Sequence, residues 1–156
     1  VRAALSDAGV PPASLLLEIT ESLLLRDQDQ VWSELAALRQ LGVRIAIDDF
    51  GTGYSSLSYL RQVPIDVLKI DRSFVDTMTT APQQAALVDG IIRLAHTLGL
   101  TVVAEGIEDR ASQLLLADMG CALGQGYHFA RPMPAEETVR WFADHRAPAV
   151  SSRSGG

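Results

Sequence analysis

The sequence predicts an α/β fold, a partial (β/α)8 TIM-like barrel of about five strand–helix units. Short apolar segments alternate with segments of helical periodicity, which indicates parallel strands joined by crossover helices. The predicted strands end in polar residues, and polar side chains at the carboxyl ends of parallel strands are typical of barrel active sites. A complete barrel needs roughly 250 residues, whereas this chain has 156. We therefore expect part of a barrel.

Five strands and four helices are predicted. The strands are short apolar runs with polar ends, at residues 15–20, 44–48, 66–71, 101–105 and 122–125. The helices carry apolar residues three and four positions apart, at residues 31–41, 87–98, 113–119 and 136–144. Gly42, Gly99 and Gly120 follow three of these helices, where glycine commonly ends a helix.

The two ends of the chain differ from its middle. Residues 1–8 are typical of the tail of a helix that ends near Gly9, and the chain starts at Val1 rather than at a methionine, which suggests a fragment of a larger domain. Residues 151–156 have the Ser- and Gly-rich composition of a linker. We predict a partial domain over residues 1–147 and a disordered tail or linker over residues 148–156.

The composition indicates a folded chain and limits the kinds of partner that it can bind. Hydrophobic side chains make up 47% of the residues, enough for a substantial core. Thirteen basic against nineteen acidic residues give a net charge of -6, which argues against DNA or RNA as a partner. A small anionic substrate stays compatible with this charge if metal ions neutralise it locally.

The cysteine content and the hydropathy of the chain indicate a reducing, cytoplasmic compartment. Cys121 is the single cysteine, so an internal disulfide is impossible and a reducing compartment fits. The longest apolar runs fall far short of the roughly 20 residues of a membrane-spanning helix. We expect no direct membrane insertion and a cytoplasmic location, which leaves room for a membrane anchor elsewhere in a parent protein.

Charged and polar side chains stand at the strand ends. Asp48 and Asp49 close the second strand, and because adjacent carboxylates repel, a divalent cation is their natural partner. Lys69 lies within an apolar strand, where an unpaired ammonium group is costly. The other polar residues at strand ends are Glu18, Glu21, Asp71, Glu105, Glu108 and Gln125. We expect one polar centre at the carboxyl edge of the sheet, where α/β folds place their chemistry.

Each of these residues also has a structural interpretation. An isolated strand-end carboxylate such as Glu18 is more often solvated or salt-bridged than a metal ligand. The Asp48-Asp49 pair can cap the following turn. Lys69 can form a structural salt bridge with a neighbouring aspartate, either Asp71 or Asp48. The remaining strand-end residues can be ordinary loop residues.

The loop from Phe50 to Leu57 follows the two aspartates. Gly51 and Gly53 permit positive φ, so one interpretation is a tight turn into a helix that starts near Ser56. The other is a mobile loop whose packing against Glu21 controls whether the aspartates are placed for a metal. The two interpretations are compatible.

Five motifs in a fixed order give the chain a family resemblance. They are Glu18-Ile-Thr-Glu21-Ser, Asp48-Asp49-Phe-Gly-Thr-Gly-Tyr-Ser-Ser-Leu, Leu68-Lys69-Ile-Asp71, Ala104-Glu105-Gly-Ile-Glu108, and Gly124-Gln125-Gly-Tyr127 with Pro132. Over residues 5–142 the chain resembles the EAL-domain family of cyclic di-GMP phosphodiesterases. The Glu-Ala-Leu motif that names the family is absent, so the chain resembles the C-terminal part of such a domain.

The resemblance implies a site with two metal ions, Mg²⁺ or Mn²⁺, for hydrolysis of a phosphodiester. Glu18 and Asp48 would bind the first metal, and Asp48 would bridge to a second metal on Asp49. Glu105 would be a further metal-linked ligand or the general base. An asparagine and a glutamate from outside this chain would complete the first metal site.

The resemblance also implies roles for residues around the metals. Lys69 would stand beside the attacking water, and Glu105 and Gln125 would complete the catalytic group, with Gln125 orienting the water or the substrate. Gln125 and Pro132 would contact the substrate. Loop organisation is implied for Glu21, Gly51, Gly53 and Glu108.

Three functions are compatible with these observations. The first is metal-dependent hydrolysis of cyclic di-GMP to linear pGpG by the complete domain, with residues 1–156 inactive by themselves. The second is a non-catalytic cyclic di-GMP receptor or degenerate EAL regulatory module, and the third is a purely structural piece. The resemblance further implies a homodimer and fused sensory or GGDEF domains in the parent protein.

Overall fold

A five-stranded parallel sheet organises the chain. The computed structural model describes residues 1–24, 28–51, 60 and 62–145. The strands are β1 (Leu16–Thr20), β2 (Arg44–Phe50), β3 (Val67–Ile70), β4 (Thr101–Ala104) and β5 (Leu123–Gly124). They lie side by side in chain order, and every neighbouring pair is parallel. This order is that of consecutive units of a barrel, as predicted.

Helices connect the strands. They are α1 (Arg2–Asp7), α2 (Glu21–Leu24), α3 (Gln28–Gln40), α4 (Arg72–Val75), α5 (Pro82–Thr97), α6 (Arg110–Asp118) and α7 (Ala135–Asp144), with one 3-10 turn at Pro12–Ser14. Among these described helices, none combines the length and the apolar character that crossing a membrane requires.

The four predicted helices are confirmed with shifted ends. They correspond to α3, α5, α6 and α7, and the largest shift is at α5, which starts five residues earlier than 87 because Pro82 stands in its first turn. The short helices α2 and α4 were not predicted, since four residues are too few to show a helical period. The helix expected near Ser56 and the tail at 148–156 lie outside the described residues.

The core lies between the sheet and the helices that cover it. Ile45 and Ile47 of β2, and Leu68 and Ile70 of β3, are fully buried. Helix α5 contacts β4 and adds Val88, Ile91, Ile92 and Ala95 to the same buried cluster. Burial of one such side chain contributes about 1.5–3 kcal/mol to the free energy of folding. The buried central strands therefore give the polar residues at their ends a rigid support.

An irregularity interrupts β2 near its end. The register between β2 and β3 shifts between Ile47 and Phe50, and Asp49 has a φ of 54°, in the left-handed region. The strand continues to Phe50, two residues beyond the predicted end. The bulge therefore falls on the two aspartates, and it decides where their side chains point.

Candidate metal and catalytic centre

Lys69 is the centre of the polar cluster. Its Nζ lies 2.7 Å from Glu18 Oε2, 2.8 Å from Asp48 Oδ1 and 2.6 Å from Glu105 Oε1. The residue is only 4% exposed. β1, β2 and β3 each contribute one of these residues, and Glu105 follows β4 directly. The predicted gathering of polar side chains at the carboxyl edge of the sheet is therefore observed around one ammonium group.

The alternative partners of Lys69 are also resolved by the geometry. Asp48 is a partner, whereas the Asp71 carboxylate accepts a hydrogen bond from Ser73 N at 3.0 Å and caps α4. The bond from the Ser73 hydroxyl, with the two backbone N–H groups that also point at it, lowers the pKa of Asp71. Asp71 thus supports the helix after β3.

The electrostatics of the cluster keep Lys69 charged. Burial by itself lowers the pKa of Lys69, but its hydrogen bonds to Asp48, Glu105 and Glu18 outweigh burial, so the pKa lies above the ordinary value. For Glu105 the balance is the opposite: burial raises the pKa of its carboxyl group, and the contact with Lys69 offsets this only in part. Glu105 is therefore a carboxylate that an additional cation would stabilise.

Three carboxylates converge on a place suited to a metal ion. Asp48, Asp49 and Glu105 each offer an oxygen, and these oxygens lie within 4.8 Å of one another. Carboxylate oxygens are the ligands that Mg²⁺, Mn²⁺ and Ca²⁺ prefer. Glu18 contacts Lys69 and is not a member of this three-carboxylate group. The donor chemistry of the described residues thus fits a hard divalent cation.

Gln125 holds Glu105 from the side of β5. Its Nε2 donates to Glu105 Oε1 at 2.8 Å, and its backbone N donates to Ala104 O at 2.9 Å. The following Gly126 has a φ of 156°, and a Cβ there would overlap the backbone of Ile107. A glycine is required at this close approach, which fixes Gln125 beside the loop that carries Glu105.

Glu21 contacts the start of the loop after β2. The carboxylate of Glu21 is buried, and its Oε2 accepts a hydrogen bond from Gly51 N at 3.3 Å. Gly51 has a φ of 96°, and a Cβ there would lie 2.7 Å from Phe74 Cζ. The expected proximity of Glu21 to this loop is seen at Gly51, whereas Gly53 lies outside the described residues.

A cleft of about 620 Å³ opens beside Glu105 and Gln125. Pro132, the residue predicted to contact a substrate, lines it together with Glu108, Arg72, Tyr127, Arg131, Trp141 and Phe142. Arg131 lies over the ring of Tyr127, 4.6 Å from its centroid. Arg72 and Arg131 were not predicted from the sequence, although Arg72 directly follows the Leu68–Asp71 motif and Arg131 directly precedes Pro132.

Comparison with known proteins identifies the family. The family model for the EAL domain matches residues 1–132, so the chain belongs to the EAL-domain family, as predicted. The bifunctional diguanylate cyclase/cyclic di-GMP phosphodiesterase MucR of Pseudomonas aeruginosa is 47% identical over 139 residues, which cover 89% of this chain and 20% of MucR. Cyclic di-GMP phosphodiesterase NbdA of the same organism is 44% identical over 155 residues, 97% of this chain and 20% of NbdA. The chain thus spans about a fifth of these relatives.

Solved structures confirm the fold. The MucR phosphodiesterase in complex with c-di-GMP has a TM-score of 0.83 at 47% identity, over 88% of this chain and 56% of that one. The EAL domain of DcpA from Mycobacterium smegmatis has a TM-score of 0.88 at 41% identity, over 94% and 66%. The manganese/cy-diGMP complex of BlrP1 from Klebsiella pneumoniae has a TM-score of 0.78 at 39% identity, over 83% and 33%. The five strands are part of an EAL-type TIM barrel. The domain boundary at residue 147 stays a prediction.

Proposed function

We propose that the EAL domain formed with this chain hydrolyses cyclic di-GMP to linear pGpG, using two divalent cations, Mg²⁺ or Mn²⁺. The observation that carries the proposal is the buried, charged Lys69 within 2.8 Å of three carboxylates. The names of the relatives support the substrate, and the manganese complex of BlrP1 supports the cation.

The charge of the cluster explains why cations are needed. Glu18, Asp48, Asp49 and Glu105 carry four carboxylates against the one ammonium of Lys69, an excess of three negative charges. A phosphodiester is itself anionic and would be repelled by this excess. Two divalent cations would offset this excess together with the glutamate that the resemblance places outside this chain, so an anionic phosphodiester would no longer be repelled.

The residues of the cluster have distinct roles in the proposed reaction. Asp48, Asp49, Glu105 and Glu18 would hold the cations, which supply charge neutralisation at the phosphoryl oxygens and a lowered pKa for the attacking water. Lys69 remains charged at the pH of the cell and favours hydroxide over water in its vicinity.

Glu105 would accept the proton of the attacking water, and Gln125 would orient the reactants. If Glu105 is the general base rather than a metal ligand, its place beside Lys69 and Gln125 would let it accept the proton of the attacking water. Gln125 fixes that carboxylate through its 2.8 Å hydrogen bond. Attack of the water oxygen on phosphorus breaks the bond to the 3′-oxygen, which takes up a proton, and the ring opens to a linear dinucleotide with a 5′-phosphate.

The proposal extends to the assembly of the parent protein. We place the active domain in a homodimer, together with fused sensory or GGDEF domains. MucR, which is named as bifunctional, supports the fused domains, since this chain matches only 20% of its length. The loop that starts at Gly51 against Glu21 is the element that would couple the dimer to the aspartates.

Substitution of Lys69 tests the activity. In the complete domain, Lys69→Ala should lower turnover of cyclic di-GMP by at least about 100-fold, because a preorganised cation is lost at the reacting centre. Binding should remain measurable by calorimetry, because metals and base contacts supply most of the affinity. The control is Arg93→Ala, which removes an exposed arginine of α5 paired with Asp89.

The outcomes separate the candidate functions. Turnover near the parental rate in Lys69→Ala would show that this lysine is not catalytic. A parent domain that binds cyclic di-GMP with Mn²⁺ present, yet does not hydrolyse it, would be a receptor. Circular dichroism of each variant checks that the fold is retained, and Lys69→Met, which keeps most of the length of the side chain, replaces Lys69→Ala if it is not.

A further inference from the structure

Arg72 joins the strand that carries Lys69 to the loop that carries Glu105. It starts α4 directly after β3, and its side chain reaches across to the loop after β4. There the stem covers Gly106: a Cβ on this glycine would lie 2.6 Å from Arg72 Cβ and 2.9 Å from Arg72 Cδ. Such distances are steric overlaps, so the stem of Arg72 can pack here only because Gly106 has no side chain.

The guanidinium group of Arg72 adds two ion pairs to this contact. Its Nη2 lies 2.8 Å from Oε1 of Glu108, in the loop of Glu105, and its Nε lies 3.1 Å from Oδ2 of Asp76, in its own segment. These side chains are about half exposed, and each pair by itself contributes little to stability. The packing of the stem against Gly106 is therefore the main constraint, and the ion pairs keep the stem in that position.

The same loop is held on its other side by β5. Ile107 N donates to Gln125 O at 3.1 Å, and Gln125 N donates to Ala104 O at 2.9 Å. Arg72 closes the side that faces β3. Glu105 thus lies at the start of a loop that is clamped from both neighbouring strands.

We propose that Arg72 is a positioning residue for Glu105, holding residues 105–108 from the β3 side and so setting where the Glu105 carboxylate stands. The inference rests on the proposed function, because it assigns the purpose of that placement to the metal and water chemistry of Glu105. Arg72 acts through the loop, since its guanidinium group is already paired with Glu108 and Asp76.

Two substitutions separate the stem of Arg72 from its charge. Arg72→Ala removes both, whereas Arg72→Met keeps an unbranched stem against Gly106. In the complete domain, Arg72→Ala should lower kcat for cyclic di-GMP and the affinity for Mn²⁺, measured by calorimetry, by about 10- to 100-fold. KM should stay close to the parental value. Arg72→Met should recover most of both losses, and the control Arg93→Ala should behave like the parent.

Hydrogen exchange gives a readout independent of catalysis. The Ile107 amide, bonded to Gln125 O, should exchange faster in Arg72→Ala and at the parental rate in Arg72→Met. If Arg72→Ala does not fold, Arg72→Gln, which has a shorter stem and no charge, takes its place and should show the same losses to a smaller degree.

The results distinguish this inference from the proposed function. If the parent domain does not hydrolyse cyclic di-GMP, the proposed function fails, while Mn²⁺ affinity and Ile107 exchange still decide the role of Arg72. Parental kcat, Mn²⁺ affinity and exchange in Arg72→Ala overturn the positioning role. A rise in KM alone also overturns it, because that result would place Arg72 in contact with substrate across the cleft.

Discussion

Asp49 has the backbone conformation that lets two consecutive aspartates serve one site. In a regular strand Asp48 and Asp49 would point to opposite faces of the sheet. The register shift after Ile47 and the φ of 54° at Asp49 bring oxygens of both carboxylates within 4.8 Å of each other and of Glu105. A left-handed conformation is unfavourable for most residues other than glycine, although aspartate and asparagine tolerate it better than the rest, so the metal site includes one modestly strained position.

Substitutions of Asp49 should affect the stability of the domain and its affinity for Mn²⁺ differently. Three variants, Asp49→Gly, Asp49→Asn and Asp49→Ala, all lose the carboxylate and should all bind Mn²⁺ more weakly than the parent. Their stabilities should differ, because glycine tolerates positive φ best, asparagine less and alanine least. We expect Asp49→Ala to be about 1 kcal/mol less stable than Asp49→Gly.

Chemical denaturation and metal titration of the three variants provide the measurement. Equal stability of Asp49→Ala and Asp49→Gly would mean that the left-handed conformation costs nothing. Unchanged Mn²⁺ affinity in all three would mean that Asp49 is a turn residue rather than a ligand.

The residue scale also shows what sequence could predict about the site. That these residues form a polar site was predictable, because an aspartate pair and a lysine at the ends of apolar strands are stable there only with partners of opposite charge. The bulge in β2 was not predictable, because the position with positive φ is occupied by Asp49 and not by a glycine, which would have indicated it. Nor was the contact between Arg72 and Gly106, which joins two connections that are 34 positions apart in the chain.

At the scale of elements, helix α6 begins where the loop of Glu105 ends. Asp109 is its N-cap: Oδ1 accepts from Ser112 N at 2.8 Å, and Oδ2 accepts from Ser112 Oγ at 3.1 Å. The helix therefore starts at Arg110, three residues before the predicted start at 113. Apolar periodicity alone misses such a first turn, because the turn is polar and its signal is the cap.

The cap makes the stability of the domain depend on pH. The hydrogen bond from Ser112 N, offset in part by burial, holds the pKa of Asp109 below its ordinary value. The stabilisation is therefore complete above the unfolded-state pKa of about 4 and is lost as pH falls through the lower folded-state value.

Substitution of Asp109 tests this dependence. At pH 7, Asp109→Ala should lower the melting temperature, and Asp109→Asn should lower it less, because asparagine also caps helices. The difference between the parent and Asp109→Ala should shrink as the pH falls below about 4. A difference that stays constant from pH 7 to acid would contradict the assignment of the carboxylate as the cap.

At the scale of the whole molecule, the order of strands was predictable and the cleft was not. Alternating strand and helix patterns imply parallel strands, and right-handed crossovers place successive strands side by side. The cleft is different, because Arg72, Glu105, Tyr127 and Arg131 reach it from three separate connections. Which of these connections meet depends on the packing of the complete sheet rather than on local pattern.

The sheet also leaves apolar surface at its margin. Within the described part of the chain, β5 pairs with β4 on one side and with no strand on the other. Leu123 of β5 is 49% exposed. An unpaired strand edge that carries an exposed apolar side chain favours association between chains.

Residues 1–156 in isolation should therefore associate in a concentration-dependent way through the margin at β5. Leu123→Lys should weaken this association, because a charge on an edge strand opposes strand pairing. Leu114→Lys is a matched control: Leu114 is 57% exposed on α6, and either substitution moves the net charge from -6 to -5. Sedimentation velocity over a range of concentrations compares the three chains. A monomeric parent would show that the open edge of β5 does not drive association, and an equal effect of the two lysines would show that general surface charge rather than this edge governs it.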